Sequence, residues 1–557
     1  TQSVRVLKTF FRAMAHPSTS REEDFMLIED ALASMQSPRD TVIDDDDDVM
    51  AWTDQDIYGI LAQDEWCDFA EEEIETLDYE DHVEVNANSE LLSWIPGNPL
   101  LMPVIPFTGN PGIKQFMAET QQINYFNLIF NDEFYDLIIS CTNANGANIK
   151  RTMTLEEFKI FLGLLLLMGI IKLNRLSDYW KKHYLFSLRF SDYMSRNRFF
   201  MILRALNVQT IPGNQSIYKV ITLIEIFNKN MENIYYPSKE VTIDESLILW
   251  TGRLRFRQYL KSKAHKYGIK LYILADKNGI CMSIHLYAGA LDRIVGGRDH
   301  VKKVVRLLIE KYTNSGHSLY VDNYYSSVDM AEELLKKKTY LTGTIKFNKK
   351  GNPKTLINTM LQPGELCLMH NANNVTVTKW KDKRDVCFIS TEHKSEYAET
   401  HNKYGNVSFK PAVQIKYNKH MRAVDKHDQM LKYYCAEHKT LRWYKKVIIH
   451  IIQINLINAF FLYNLNRDPK ISLYDYRLNI IEHFLPKKST DDNIRSSASG
   501  KTHLPTHLPK INGRRIRKRC RQCYNINKKR VDVLFGCPDC PGFPGLCLDC
   551  FRAYHNY

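Results

Sequence analysis

Four aspartates and a knot of cysteines are the residues of this 557-residue chain whose types and spacing point to chemistry. Asp244 stands in the middle of VTIDESLILW, an otherwise strand-forming run. A carboxylate buried at a strand centre is costly unless a metal or a cation pairs with it. Asp322 ends the apolar string HSLYVD, and Asp425 and Asp428, three residues apart in YNKHMRAVDKHDQM, share a helical face. Two divalent ions about 3.5 to 4 Å apart, the arrangement that cleaves phosphodiesters, need three or four such hard oxygen ligands converging on one point. Taken singly, each acid reads as readily as a surface carboxylate or a helix cap, so the assignment depends on their being gathered.

The second signal closes the chain. Cys520-x2-Cys523, Cys537-x2-Cys540 and Cys547-x2-Cys550 are followed by His555. A two-residue spacer lets two thiolates grip one tetrahedral zinc at about 2.3 Å. Two zinc ions need eight ligands, and these seven leave the last to His507 or His503 of the string HLPTHLPK. Six of the twelve cysteines lie here and the rest are scattered singly, which is metal spacing and not a disulfide framework, so a reducing compartment is expected.

Charge supplies a partner. Residues 1 to 90 hold 5 basic against 25 acidic side chains, net −20; the remainder holds 70 against 38, net +32. A basic body with an acidic leader points to a polyanion partner, nucleic acid foremost. Arg253, Arg255, Arg257, Lys261 and Lys263, interleaved with Leu254, Phe256 and Tyr259, read as a phosphate-contacting strand and loop or as a solvated edge. Trp443, beside Lys445 and Lys446, reads as a platform for an unpaired base or as core. From Lys510 to Arg530 ten residues are basic and none acidic, with Arg514, Arg515, Arg517, Lys518 and Arg519 the densest part; phosphate binding and nuclear localisation both fit.

The elements that must position these residues give an α/β multidomain chain. VTIDESLILW, GIKLYILA and ICMSIHLYA read as antiparallel strands, the last two joined by a turn at Asp276-Lys277-Asn278-Gly279. A helix over 300–312, a strand over 317–322, a helix over 328–337 and a strand over 339–346 complete β-β-β-α-β-α-β, the order of a ribonuclease H-like core. The expected divisions are an acidic, largely disordered region 1–105, a helical domain 106–238, the core 239–346, a β-rich insertion 347–410, a core helix with the third Asp 411–431, a second helical part 432–485, a linker 486–506 and a zinc-binding domain 507–557. Thr154 and Glu157 form a capping-box signature for a helix over 155–171. No membrane partner is expected: Phe161–Ile171 is too short to span, and polar residues interrupt 447–465, so both read as core helices.

With these elements in place, VTIDESLILWTGRLRFRQY, LYVDNYYSSVDM and YNKHMRAVDKHDQM resemble the three signature blocks of piggyBac-type transposases. The resemblance runs from about residue 107 to 463, taking in LSDYW and LRWYKK, and resumes over the Cys-rich tail. It implies a catalytic triad of Asp244, Asp322 and Asp425 with Asp428 close to the metals, and two Mg²⁺ or Mn²⁺ ions per site. It further implies a homodimer whose helical parts serve dimerisation and binding of double-stranded DNA, working in the nucleus. Its chemistry is cut-and-paste transposition of terminal repeats through hairpin ends into TTAA targets. In a cross-braced tail Cys520 and Cys523 share one zinc with Cys547 and Cys550, while Cys537, Cys540 and His555 share the other with His507, which resembles an upstream His of the family, or with His503. The rival readings are a domesticated DNA-binding regulator and a chromatin-binding zinc module; an intact acid set argues against both.

Overall fold

The structure, a computed structural model, describes residues 94–557 other than 116–120, 146–150, 185–187, 214, 261–265, 291, 402–406, 466, 488–502, 512–513, 541 and 556–557. The acidic stretch and the disorder expected of it therefore lie outside the described residues up to position 93.

One mixed sheet of ten strands organises the described body. Its strands are β1 (Trp94–Pro96), β2 (Glu240–Leu249), β3 (Gln258–Tyr259), β4 (Tyr267–Asp276) and β5 (Cys281–Leu286), then β6 (Ser318–Val321), β7 (Tyr340–Thr344), β8 (Leu366–Asn371), β9 (Thr376–Lys381) and β10 (Asp385–Ser390). Runs of Val, Ile, Leu and Tyr buried on both faces account for the central strands. β4 pairs antiparallel with both β2 and β5, β6 lies parallel to β2, and β7 lies parallel to β6. Read across the sheet, β5-β4-β2-β6-β7 is the ribonuclease H-like arrangement. The β4–β5 turn needs Gly279 at φ +92°, while the Asp276 carboxylate accepts from the amides of Asn278 and Ile280.

The β-rich insertion forms strands, and three of them, β8, β9 and β10, continue this sheet from the open edge of β7. β1, inside the segment assigned to the leader, closes the far edge against β8. The Tyr340 hydroxyl donates to the Pro103 carbonyl 2.8 Å away. The ordered body thus begins before the expected boundary at 105, because a strand edge recruits a partner irrespective of its distance along the chain.

Helices α1 (Gln122–Ile129), α2 (Asp132–Asn145), α3 (Leu155–Ile170), α4 (Arg196–Ala205) and α5 (Ile221–Ile234) precede the core. Within it, α6 (His300–Ile309) and α7 (Val328–Lys336) are the crossovers, and α8 (Ala412–His420), α9 (Ala423–Tyr433), α10 (Trp443–Asn464) and α11 (Leu473–Phe484) follow. Thr154 caps α3, accepting from the Glu157 amide at 3.3 Å. α10 packs against α1, so the helical segments on either side of the core in sequence form one body. By length and composition α10 is able to cross a membrane, yet that stretch is wholly buried inside the fold. Two of its polar residues bond neighbouring backbone there: Gln453 accepts from the Ala436 amide at 2.7 Å, and Asn458 bonds both the amide and the carbonyl of Cys281 at 2.9 and 2.8 Å. Asn228 of α5 does the same for Ile284, so two asparagines cover the outer edge of β5.

The tail has a small core of its own, Cys520, Val533, Cys537, Leu546 and Phe551, under short strand pairs and two helices, Arg521–Asn527 and Leu548–His555.

Candidate functional site

Strand alternation places Thr242, Asp244 and Ser246 on one face of β2, and the helices fix what that face meets. Thr242 donates to the His420 carbonyl at the end of α8, and the Ser246 hydroxyl donates to Asp428 Oδ1 of α9 at 2.6 Å. Asp244 lies between them, 9% exposed, with an oxygen accepting from the Glu245 amide. The parallel register of Ile243 with Val321 and of Val321 with Gly343 then sets Asp244, Asp322 and Thr344 in a row across β2, β6 and β7. Thr344 Oγ1 donates to Asp322 Oδ1 at 3.0 Å. Asp425 opens the first turn of α9, on the same face as Asp428. Gly279 makes this packing close: a Cβ there would sit 3.3 Å from the Ala423 carbonyl at the start of that helix.

Tyr417 of α8 registers the convergence. Its phenol is pushed up to about 12, first by burial and then by the negative charges of Asp322, Asp244 and Asp425, while a hydrogen bond with Thr344 acts in the opposite sense. Asp322, Thr344 and Tyr417, with Asn323 and Phe347, line an open cleft of about 620 Å³.

The donors suit hard divalent ions: all are carboxylate oxygens, and their gathering concentrates negative charge that cations offset. Among the described residues the groups of three or more ligand atoms lying mutually within 4.8 Å are both in the tail. No three of the described aspartates bring their carboxylate oxygens that close together.

Of the basic expectations, Arg253 and Arg255 are exposed beside the core. Arg257 is tied down, donating to the Thr251 carbonyl at 2.7 Å and lying over the Tyr267 ring. Lys261 and Lys263 fall outside the described residues. Three expectations are corrected. Trp443 is 8% exposed and meets Phe256 edge-on at 5.1 Å, so it is core and not a base platform. Lys445 is buried, donates to the Arg204 carbonyl, and is held down at about 7 by that burial. Lys446 donates to the Leu249 carbonyl at 2.7 Å and sits 3.8 Å from Glu437. The reason is common to all three: α10 is buried from its first turn, so Lys445 braces the end of α4 and Lys446 the end of β2 instead of facing solvent.

In the tail, Cys520, Cys523, Cys547 and Cys550 form one cluster and His503, Cys537, Cys540 and His555 the other. Ligands on a tetrahedron with bonds of about 2.3 Å stand roughly 3.7 Å apart. The sulfurs of Cys520 and Cys547 are 3.8 Å apart, those of Cys523 and Cys550 3.5 Å, and Cys540 is 3.3 Å from His555 Nε2, so both sets fit zinc in the cross-braced pairing. Burial acts to raise the Cys520 thiol, yet hydrogen bonds from Cys523 and Cys547 bring it down to about 7, towards the thiolate that binds metal. His507 is a correction. It pairs with Phe535 in a strand, stacks on that ring at 4.3 Å and is exposed near Arg515, while His503 lies 3.0 Å from the Cys537 sulfur. Both histidines stand before Leu-Pro, so local sequence does not separate them. Of the tail's basic residues, Arg515, Arg517 and Arg519 are exposed, the last over Tyr524. Lys518 is engaged with the Phe543 carbonyl, and the side chain of Arg514 lies outside the described residues.

Sequence reasoning missed Tyr417, Thr344 and Ser246. None carries a charge, and only the strand register and the docking of α8 and α9 bring them to the acids.

The family model described as Transposase IS4 matches residues 121–460, and one described as a DDE_Tnp_1-like zinc finger matches 500–556. Among curated relatives, PiggyBac transposable element-derived protein 3 of Homo sapiens is 21% identical over 501 residues, covering 84% of this chain and 81% of that protein. PiggyBac transposable element-derived protein 2, also of Homo sapiens, is 24% identical over 483 residues, covering 80% and 78%. The cryo-EM structure of a piggyBac transposase synaptic complex with hairpin DNA shares the fold at a TM-score of 0.61 and 23% identity, over 79% of this chain and 98% of that one. A family model matched over more than half the chain, on a ribonuclease H-like core followed by a zinc-ligand tail, makes this chain a member of the IS4 transposase family, of the piggyBac type.

Proposed function

We propose that the chain is a DNA transposase that cuts and rejoins a mobile element at one carboxylate site. The observation that carries the reading is the row of Asp244, Asp322 and Thr344 across three strands with α9 closing over it, so that Asp425 shares the neighbourhood of Tyr417. Asp244, Asp322 and Asp425 would hold a pair of Mg²⁺ or Mn²⁺ ions, with Asp428 beside them. When bound, the pair activates an attacking hydroxyl and stabilises the leaving oxygen. The chain's own residues orient the ligands: Ser246 holds Asp428 and Thr344 holds Asp322. The exposed Arg253, Arg255, Arg515, Arg517 and Arg519 supply positive charge for the phosphates of double-stranded DNA.

In this reading the element's 3′ ends are nicked by water, each freed 3′-OH attacks the opposite strand to leave a hairpin, and the reopened end attacks a TTAA target. A nuclear homodimer carrying two zinc ions per tail completes the proposal. Purified protein incubated with labelled element ends, Mg²⁺ and a TTAA-bearing plasmid tests it. Nicked ends, hairpins and joined products are expected. Tight end binding with no cleavage would select the DNA-binding regulator instead.

A further inference from the structure

Strand alternation sends the side chains of Asp244 and Glu245 to opposite faces of β2, yet Glu245 is bonded to the surroundings of two of the acids. Its amide donates to Asp244 Oδ1 at 2.8 Å, and on the other face its Oε2 accepts from the Tyr325 hydroxyl at 2.9 Å. Tyr325 belongs to the turn that leaves β6 directly after Asp322. The Asp322 carbonyl accepts from the Tyr325 amide at 3.1 Å, and from the amide and the hydroxyl of Ser326, both at 3.2 Å. The parallel ladder between β2 and β6 stops one residue short of the acids, at Ile243 and Val321. Beyond that point the bond from Tyr325 to Glu245 takes over from the ladder in joining the two segments. The phenol is held in place: Tyr325 is 2% exposed, and its ring meets edge-on, at 6.2 Å, the ring of Tyr272, whose hydroxyl bonds His300 Nε2 at 2.7 Å.

We propose that Tyr325 is a positioning residue for the divalent-ion site: by donating to Glu245 it fixes the turn that bears Asp322 against the strand that bears Asp244, and with it the separation of those two carboxylates. The inference rests on the metal-holding role given above to Asp244, Asp322 and Asp425. Ligands held at the spacing an ion requires bind it better than ligands that must be ordered on binding, and outer partners of this kind commonly tune affinity. Without the phenol proton, the turn after β6 is tied to β2 only up to Ile243 and Val321 by the ladder, and the two acids beyond it regain freedom relative to each other.

The test is calorimetric titration of Mn²⁺ into the zinc-saturated full chain, with DNA affinity and Tm measured alongside; the binding lost in Asp322→Asn defines the site. Tyr325→Phe keeps the ring against Tyr272 and removes the donor. It is expected to weaken Mn²⁺ binding about three- to tenfold, the effect of losing one hydrogen bond, with DNA affinity unchanged. Loss of a buried hydrogen bond lowers Tm in any case, so the Mn²⁺ constant is the deciding readout. Glu245→Gln keeps an acceptor for the phenol and should hold affinity closer to wild type than Glu245→Leu, which keeps none. Tyr325→Phe combined with Glu245→Leu should be no worse than Glu245→Leu alone, since both break one bond.

A lowered Tm with Mn²⁺ affinity intact would overturn the inference and leave the bond a structural one. So would a loss in Glu245→Gln as large as in Glu245→Leu, which assigns the effect to charge, or additive losses in the double variant. If wild-type protein and Asp322→Asn take up Mn²⁺ alike, the metal-holding role beneath falls as well. That result is distinct from site binding that is indifferent to Tyr325.

Discussion

A carboxylate that holds a metal and a carboxylate that holds a helix respond differently to removal. Asp244→Ala, Asp322→Ala and Asp425→Ala should each reduce strand cleavage by more than the roughly 10- to 100-fold that losing a ligand's supporting partner costs. End binding in a mobility-shift assay should persist, and near wild-type cleavage by any of the three would remove that residue from the site. Asp428→Ala should cost less, because its bond to Ser246 sets it further along β2 than Asp244. His438 gives the residue scale a pH signature. Burial, with Lys172 adding and Glu437 opposing, holds its imidazole down at about 4, against about 6.5 when unfolded. As pH falls the unfolded chain takes the proton first, so this group's contribution is intact above about pH 6.5. It is lost between about 6.5 and 4, on the order of 2 to 3 kcal/mol. Tm profiles of wild type and His438→Gln should differ in that window and nowhere above it. Asp244 stood out in sequence because an acid at a strand centre is anomalous, whereas Asp322, Asp425 and Asp428 were joined to it by the resemblance of the three blocks. The fates of Trp443 and His507 were not, since each depends on a partner, Phe256 or Phe535, that sequence does not show to be a neighbour.

At the scale of elements, local signals were the readable ones. The capping box at Thr154, the turn at Gly279 and the β-β-β-α-β-α-β order are all written within a few residues of where they act. The joining of β8, β9 and β10 to the core sheet, and of β1 to β8, was not, because strand pairing is non-local and the same alternation serves a separate layer equally well. Gly279 couples two elements, since its left-handed turn also makes room for the start of α9. Gly279→Ala places an L-residue in that conformation at about 1–2 kcal/mol and presses on the helix that carries Asp425. A lowered Tm, with single-turnover cleavage falling more than DNA affinity, is the expected result. A change in Tm alone would mean that the turn does not govern where the helix sits.

The whole molecule is best probed through its charge and its zinc. If several phosphates are neutralised, log K against log[salt] should fall with a slope of about −0.9 per phosphate, and a flat line would exclude an electrostatic interface. Deleting residues 1–90 removes 20 net negative charges and should strengthen non-specific binding; weaker binding would show that the leader does not compete for the basic surface. Chelation should unfold the tail while the ribonuclease H-like sheet keeps its circular dichroism, because zinc supplies on the order of 10–16 kcal/mol to such modules and their cores are too small to manage alone. Metal analysis should return two zinc ions per chain, and Cys537→Ser or His503→Ala one.

The two asparagines on β5 bear on how this protein can be cut. Asn228 comes from before the core in sequence and Asn458 from after it, and each occupies hydrogen-bonding positions that a neighbouring strand would otherwise take. A fragment trimmed to the three carboxylates, residues 239–431, would carry all the carboxylates proposed to hold metal and neither guard. Its bare strand would then be offered to the next copy, and such a fragment should be recovered as aggregate, not as a minimal nuclease.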